Sequence, residues 1–290
     1  MFPNWLKTLS LNYRYLLWLI KKRSIFKKED YSFFKPLIYI FFCPVLRVVF
    51  GRRKTIMTSR KFMKLLDKSG LLLPLPIDGM PPFFIRIRDA CDFDIFREIL
   101  LRNEYKKEEI KEGMVVVDVG AHIGVFSVLA SVKTGGLGKV ISIEPENSNF
   151  KRLEENLSIN NISNAMPLKI AISNFEGKKN LFIKEDFAGH SIVSEDSAIG
   201  RVEVEVRTLD SLLSSISIRR VDILKIDTEG VELEVLEGAE KILKENLQIK
   251  LIISAYHYPE ERKKVTDYLL SLGFSLFTPD NRIVFAQREP

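Results

Sequence analysis

The chain has 290 residues, of which 46% are hydrophobic and 28% are charged. This composition excludes a disordered chain, and the length is typical of one full-size domain with an additional segment. The two cysteines, Cys43 and Cys91, lie far apart and outside any CxxC spacing, so the sequence indicates neither a zinc site nor a disulfide framework. This cysteine usage fits a reducing compartment, and we expect the protein in the cytoplasm.

The net charge of +6 conceals a strongly basic N-terminal segment. Residues 1–64 contain 15 Lys or Arg against 2 Asp or Glu, whereas residues 65–290 contain 29 against 36. Apolar residues from Trp5 to Ile20 recur at helical spacing, which predicts a basic amphipathic helix. Such a helix either lies on the inner face of the cell membrane or packs on the main domain. We predict a basic helical extension over residues 1–82, and no motif in it indicates nucleic-acid binding.

A second apolar stretch follows this helix. Its uninterrupted run, residues 37–46, contains Pro44 and is flanked by Lys35 and Arg47. A helix that spans a bilayer needs about 20 apolar residues. We therefore predict that this stretch does not cross a membrane.

From residue 83 to the end, short β-branched runs alternate with helical patterns. This alternation predicts an α/β domain with a doubly wound parallel sheet over residues 83–290. The predicted strands are FFIRIR, VVVDV, KVISIE, PLKIAI, KNLFIK, RVEVEVRTL, VDILKID, KLIISAY, FSLFT and IVFAQ.

The turn after the strand Val115–Val119 is the expected ligand site, because doubly wound sheets bind ligands at the carboxyl ends of their strands. The turn reads Gly120-Ala-His-Ile-Gly124, with His122 where the GxGxxG motif of dinucleotide folds has its second glycine. Asp118 at the tip of the strand would repel a pyrophosphate and attract a cationic ligand. S-adenosylmethionine carries an ammonium and a sulfonium group, so the turn favours this cofactor over NAD.

A second acidic residue supports a nucleoside ligand. The next strand ends in Glu144, and a carboxylate can accept hydrogen bonds from both hydroxyls of a ribose. Asp118 and Glu144 are 26 residues apart, a spacing that accommodates one helix and one strand. Simple tight turns for the glycines, and a capping or ion-pairing role for Asp118, remain the alternatives.

Several segments together resemble the FkbM-type S-adenosylmethionine-dependent methyltransferase family. These segments are VVVDVGAHIGVFSVLA, ISIEPENSNFKRLEENL, AISNFEG, TLDSLL and VDILKIDTEGVELEVLEGAEKIL, within residues 83–288. The resemblance implies a Rossmann-like class I fold whose sheet has seven strands, mostly parallel, with the last strand antiparallel. It also implies methyl transfer to hydroxyl oxygens, often on sugars. His122 departs from the asparagine that is common in the family.

The predicted cofactor-binding residues combine the turn, the ribose acid and neighbouring strand ends. They are Asp118, Gly120, Ala121, His122, Gly124, Glu144, Ala171 and Asp227.

Methyl transfer to a hydroxyl requires close alignment of the nucleophile and removal of its proton. In VDILKIDTEG, strand alternation places Lys225 and Asp227 on one side of the sheet, and both are catalytic candidates. His257 after the strand KLIISAY is the predicted general base, because an imidazole titrates near neutral pH. His190 is a weaker candidate for this role. Capping of the following helix is the alternative for Asp227 and Glu229.

Asp227, Glu229 and Glu232 are the most obvious cluster of acids for a divalent ion, but no fixed metal-ligand spacing is present, so no metal ligand is assigned. The resulting prediction is O-methylation of a small-molecule or glycan hydroxyl. The alternatives are an NAD(P)-dependent oxidoreductase and a non-catalytic scaffold at the membrane. The acceptor and the oligomeric state are left open by the sequence.

Overall fold

A computed structural model of the chain describes residues 71–75, 77, 83–88, 90–184, 198–278 and 282–288. The predicted basic helix, the apolar run at residues 37–46 and His190 lie outside these ranges. Within the described ranges, no helix has the length and apolar character needed to cross a membrane. The chain divides into two compact units, one ending at Glu104 and the other beginning at Tyr105.

The first unit contains a small antiparallel sheet followed by a helix. Its elements are β1 (Leu71–Pro74), β2 (Phe84–Ile87), α1 (Ala90–Phe96) and a π-helix (Arg97–Leu101). Phe93 and Phe96 are buried, with ring centroids 6.3 Å apart, and form part of an apolar core. Strand β1 lies within residues 1–82, where a helical extension was predicted. The predicted boundary after residue 82 falls outside the described ranges and stays a prediction.

The second unit alternates strands and helices. Its first half consists of a 3-10 helix (Lys107–Glu109), β3 (Val115–Val119), α2 (Val125–Thr134), β4 (Lys139–Ile143), α3 (Asn147–Ser158), β5 (Ala165–Leu168), β6 (Ala171–Ile172) and β7 (Gly177–Lys184). Its second half consists of β8 (Ala198–Arg207), α4 (Leu209–Ser215), β9 (Ile223–Ile226), α5 (Glu232–Glu237), α6 (Glu240–Glu245), β10 (Lys250–Ser254), α7 (Glu261–Ser271), β11 (Ser275–Phe277) and β12 (Ile283–Gln287).

Seven strands form the central sheet in the order β5-β4-β3-β9-β10-β12-β11. Strands β5, β4, β3, β9 and β10 are parallel to one another, and β12 is antiparallel to both β10 and β11. The predicted seven-stranded sheet with an antiparallel last strand is therefore confirmed. A separate three-stranded sheet, β6-β8-β7, contains the two alternating strands predicted at KNLFIK and RVEVEVRTL.

Strands β3 and β9 lie at the centre of the sheet. All four residues of β9 are buried, as are the last four of β3, which is typical of parallel strands covered on both faces. The chain runs from β3 to β4 on one side, while β9 lies on the other side of β3. The carboxyl ends of β3, β4 and β9 thus meet at the switch point where α/β proteins bind ligands.

Candidate functional site

The turn after β3 requires glycine at both of its ends. Gly120 has a φ of +78°, and a Cβ atom there would lie 1.8 Å from the carbonyl oxygen of Asp227. Gly124 has a φ of +85°, and its Cβ atom would lie 2.5 Å from the side chain of Leu153. Any other residue at Gly120 would therefore collide with the backbone at the end of β9, in a conformation that L-residues rarely adopt.

Asp118 forms a buried ion pair. Its carboxylate is 0% exposed, lies 3.0 Å from the Lys225 ammonium and accepts a 2.6 Å hydrogen bond from the Ser127 hydroxyl. The two charged residues are direct neighbours in the parallel register of β3 and β9. This is the ion-pairing alternative that the sequence left open. The charge of Asp118 is balanced inside the sheet, so the expected repulsion of a pyrophosphate by Asp118 is not supported.

Backbone amides of the turn bind the end of β4. The amides of Gly120 and Ala121 donate to the carbonyl oxygen of Ile143 at 3.0 and 2.9 Å. His122 has a φ of +52°, and its amide donates to a Glu144 carboxylate oxygen at 2.8 Å. Asn and His are among the side chains that tolerate this left-handed conformation best. The departure of His122 from asparagine therefore preserves the backbone geometry.

Glu144 is the acid that follows β4, and it is 6% exposed. Its two oxygens accept hydrogen bonds from the amides of His122 and Glu146, at 2.8 and 3.0 Å. Burial raises the pKa of Glu144 to about 7, although both amide hydrogen bonds act to lower it. Each carboxylate oxygen has a second lone pair, so the group retains the capacity to accept a ribose hydroxyl on each oxygen.

Ala171 begins β6, three residues after the end of β5. It is 4% exposed and belongs to the apolar core of the second unit, together with Ile143 and Ile172. The amide of Glu144 donates to the carbonyl oxygen of Leu168, which ties the two strand ends together. The predicted contact of Ala171 with the cofactor stays a prediction.

Lys225 connects the β9 strand to the glycine turn. Its ammonium donates to the carbonyl oxygen of Gly120 at 2.6 Å and lies 4.0 Å from an Asp227 oxygen. Lys225 and Asp227 therefore share one side of the strand, as the alternation predicted. Burial acts to lower the pKa of Lys225, but attraction to Asp118 and Asp227 outweighs it, and the pKa is raised. Lys225 is 3% exposed and carries a positive charge within the protein.

Tyr105 was not predicted from the sequence. Its hydroxyl donates to the Asp227 carboxylate at 2.7 Å and lies 3.3 Å from the Ser254 hydroxyl at the end of β10. Burial and the charge of Asp227 raise the pKa of Tyr105 well above its usual value. The tyrosine stays neutral and fixes one oxygen of Asp227. Tyr105 and Asp227 are 122 positions apart, and no local pattern links them.

His257 lies among four carboxylates at the carboxyl ends of β9 and β10. Its Nε2 atom is 3.7 Å from Asp227 and 3.9 Å from Glu229, and its Nδ1 atom is 3.3 Å from Glu232 and 3.4 Å from Glu261. Burial acts to lower the pKa of His257, but Glu232, Glu261 and Glu229 together raise it to about 11. In this arrangement the imidazole is protonated, and it does not meet the requirement of the general base expected from the sequence.

Glu261 is a further residue that the sequence analysis missed, whereas Glu232 was considered there only among the acids for a divalent ion. Glu232 accepts hydrogen bonds from the amides of Thr228 and Gly230, at 2.7 and 3.0 Å, and closes the loop after β9. The alternative offered for Asp227 and Glu229 was capping of the following helix, but the N-cap residue of α5 is Val231, which provides no side-chain cap. Burial raises the pKa of Glu232 to about 7, whereas hydrogen bonds from His257 lower the pKa of Glu261 against the effect of burial. Their positions at the first residues of α5 and α7 are the only sequence signal.

Several known proteins resemble this chain. The hexuronic acid methyltransferase AglP of Haloferax volcanii is 29% identical over 209 residues, which are 70% of this chain and 80% of that protein. Methyltransferase sdnD of Sordaria araneosa is 26% identical over 178 residues, which are 51% of this chain and 68% of that protein. A solved SAM-dependent methyltransferase from Aquifex aeolicus aligns at 20% identity with a TM-score of 0.41, over 66% of this chain and 89% of that one.

A family match covers the site itself. Residues 118–276 match the methyltransferase FkbM domain. This range is more than half of the chain and contains Asp118, the glycine turn, Glu144 and the carboxylates around His257. The chain therefore belongs to the FkbM methyltransferase family, and S-adenosylmethionine is its methyl donor.

Proposed function

We propose that the protein transfers a methyl group from S-adenosylmethionine to a hydroxyl oxygen of a sugar or glycan. The observation that carries this proposal is the position of Asp227 and His257. They lie 3.7 Å apart at the ends of neighbouring strands, beside the turn that contains Gly120. The name of the relative AglP, a hexuronic acid methyltransferase, supports a sugar as the acceptor. No observation in the described residues favours a nicotinamide cofactor or a purely structural role.

The cofactor is proposed to bind along the carboxyl ends of β3, β4 and β9. Glu144 would hold the ribose hydroxyls, because its buried carboxylate retains lone pairs beyond its two amide hydrogen bonds. The remaining predicted residues, Asp118, Gly120, Ala121, His122, Gly124, Ala171 and Asp227, would shape or border this site. The bound cofactor supplies a methyl group that its sulfonium activates for in-line displacement.

Asp227 and His257 are proposed to act on the acceptor. The Asp227 carboxylate is 24% exposed, so it is accessible to a hydroxyl, and Tyr105 and Lys225 hold its other side. It would accept the hydrogen bond of the acceptor hydroxyl, orient an oxygen lone pair toward the methyl carbon, and take the hydroxyl proton as the O–C bond forms and the C–S bond breaks to leave S-adenosylhomocysteine. His257 would orient Asp227 from the opposite side. Lys225 is buried in its ion pair with Asp118, and we propose that it positions Asp227 and Gly120 rather than contacting substrate.

The proposed reaction is tested with radiolabelled S-adenosylmethionine and oligosaccharides that carry a hexuronic acid, compared with neutral oligosaccharides. We expect an alkali-stable label, since a methyl ether on a hydroxyl survives alkali and a methyl ester on a carboxyl does not.

Asp227→Asn is expected to lower the rate of methyl transfer about 100-fold, the lower range for general acid–base groups. Asp267→Asn, which neutralises a half-exposed acid on the outside of α7, is the matched control and should retain the rate. Label that alkali releases would show that hydroxyl methylation is the wrong chemistry.

Contact with the inner face of the cell membrane is proposed for residues 1–64, on the strength of their basic charge. Flotation of the full chain with phosphatidylserine-containing vesicles measures this contact. We expect flotation with the anionic vesicles, little with phosphatidylcholine alone, and loss of binding at high salt. Equal recovery with both vesicle types at all salt concentrations would refute an electrostatic contact. The proposed partners are thus a glycan or small-molecule acceptor and a lipid surface, without nucleic acid.

A further inference from the structure

We propose that Asp227, Glu229 and the Nε2 atom of His257 form a binding site for one divalent cation; this group is called the cation cluster below. Its donor atoms lie within 4.8 Å of one another. The separations are 3.7 Å from Nε2 to Asp227 and 3.9 Å from Nε2 to Glu229. Donor atoms about 2.0–2.3 Å from one ion are separated by about 3–4.5 Å, so these distances leave room for a cation between them.

His257 supplies an observation that the acids alone do not. Its side chain is 8% exposed. Within the described ranges, its Nε2 atom makes no hydrogen bond. A buried imidazole ordinarily satisfies both nitrogens, because an unsatisfied buried polar group costs about 1–3 kcal/mol. The Nε2 atom instead points toward two carboxylates at distances longer than a hydrogen bond, as three ligands of one cation would be arranged.

The other side of the ring is arranged to orient it. Nδ1 lies 3.3 Å from Glu232 and 3.4 Å from Glu261, and both carboxylates are 0% exposed. The amides of Thr228 and Gly230 hold Glu232, and the amide of His257 itself donates to Glu261 at 2.7 Å. A carboxylate behind the non-ligating nitrogen is the usual support of a metal-bound histidine. This arrangement leaves Nε2 as the nitrogen that faces the cation, and Nε2 would release its proton to solvent as the cation binds.

The position of the cation cluster leaves space for further ligands. Asp227 and Glu229 are 24% and 32% exposed, so solvent or substrate can reach these two carboxylates. The donor atoms of a second group, Glu232, Glu261 and the Nδ1 atom, also lie within 4.8 Å of one another, but both of its carboxylates are buried. Two carboxylates and one imidazole suit Mn²⁺ or Mg²⁺ with water or substrate in the remaining positions.

A cation at this place deepens the proposed function and rests on it for its chemical role. A hydroxyl has a pKa far above neutrality, and a bound divalent cation lowers the pKa of an oxygen that it coordinates. The acceptor hydroxyl would then lose its proton more easily while the cation fixes its position. This role relieves His257 of the task of general base, for which its surroundings are unsuited.

The test measures Mn²⁺ binding to the full chain by electron paramagnetic resonance, without cofactor or acceptor. We expect one Mn²⁺ per chain, displaced by excess Mg²⁺. Glu229→Gln and His257→Asn should each weaken binding at least about tenfold. Glu237→Gln, which neutralises an exposed acid on α5, is the matched control and should bind Mn²⁺ as the wild type does. Circular dichroism and S-adenosylhomocysteine binding establish that each variant is folded.

The outcomes separate this inference from the proposed function. Absence of saturable Mn²⁺ binding in the wild type at millimolar concentrations would overturn the cation site. So would equal binding by the wild type, Glu229→Gln and His257→Asn. Methyl transfer to a hydroxyl that persists in EDTA, together with no Mn²⁺ binding, would leave the proposed function intact without the cation. Binding of Mn²⁺ at Glu229 and His257, without transfer to any hydroxyl, would support the site and contradict the proposed function.

Discussion

Replacement of Lys225 by methionine is expected to lower the free energy of unfolding by about 3–5 kcal/mol, the range for breaking a buried ion pair. The Asp118 carboxylate, which is 0% exposed, would lose the ammonium that lies 3.0 Å away. The carbonyl oxygen of Gly120 would lose its 2.6 Å hydrogen bond in the same variant. The hydroxyl of Ser127 alone cannot balance the charge that remains. Urea unfolding followed by circular dichroism measures the change.

Lys250→Met provides the matched control. Lys250 pairs with Glu109, but both side chains are 38% exposed, so its replacement should cost about 1 kcal/mol or less. The double variant Asp118→Asn and Lys225→Met removes both charges and should recover part of the lost stability. If Lys225→Met is no less stable than Lys250→Met, the ion pair does not stabilise the folded chain.

The fold followed from local patterns that the sequence displays. The β-branched runs at β3 and β9 predict a parallel sheet. The glycines of the turn that follows β3 predict which edge of this sheet binds the ligand. The antiparallel last strand came only from the resemblance to the family. Local periodicity specifies strands and helices, whereas strand order depends on long-range packing that a single sequence does not reveal.

The partners of Asp118 and Asp227 show where prediction from sequence ended. Asp118 was interpreted as facing the ligand, because the residues that follow a strand commonly lie at the sheet edge. The register between β3 and β9 instead places it beside Lys225, inside the sheet. Tyr105 reaches Asp227 across 122 positions, for which the sequence contains no signal. The sequence placed Asp118 and Asp227 near the carboxyl ends of the strands, but it did not reveal which residues pair with them.

His257 illustrates the same limit for chemistry. The ordinary pKa of an imidazole suggested a general base, and that expectation considered His257 by itself. In the structure Glu232 and Glu261 contribute the charges that raise its pKa to about 11. The helices that begin with these two residues bring them to the ring from different parts of the chain.

Replacement of Glu144 by glutamine is expected to weaken S-adenosylmethionine binding about 100-fold. A carboxylate that accepts two ribose hydroxyls makes charge-assisted hydrogen bonds, which contribute about 1.5–3 kcal/mol each, whereas an amide offers only one accepting atom. Isothermal titration calorimetry with S-adenosylmethionine and S-adenosylhomocysteine measures the loss. Glu154→Gln removes an exposed acid from α3 and serves as the matched control, with wild-type affinity expected.

The titration of Glu144 gives this prediction a second and independent readout. Its folded-state pKa of about 7 lies above the reference value of 4.5, because burial penalises the ionised form. In the ligand-free protein, this group favours folding below pH 4.5, and its contribution is lost as the pH rises through 7. The pH dependence of ribose affinity has the opposite sign, because only the ionised carboxylate accepts hydrogen bonds from both hydroxyls. Affinity should therefore rise about tenfold from pH 6 to pH 8.

Methylthioadenosine is the ligand for the pH series, because it contains the ribose and adenine but lacks the amino-acid group that itself titrates near this range. The wild type should bind it more tightly at pH 8 than at pH 6, and Glu144→Gln should bind it weakly and without pH dependence. An unchanged pH profile in Glu144→Gln would assign the titration to another group. Wild-type affinity in that variant would place the ribose elsewhere. The amides of His122 and Glu146 would then explain the burial of Glu144 by themselves, as a structural link between the β3 turn and the end of β4.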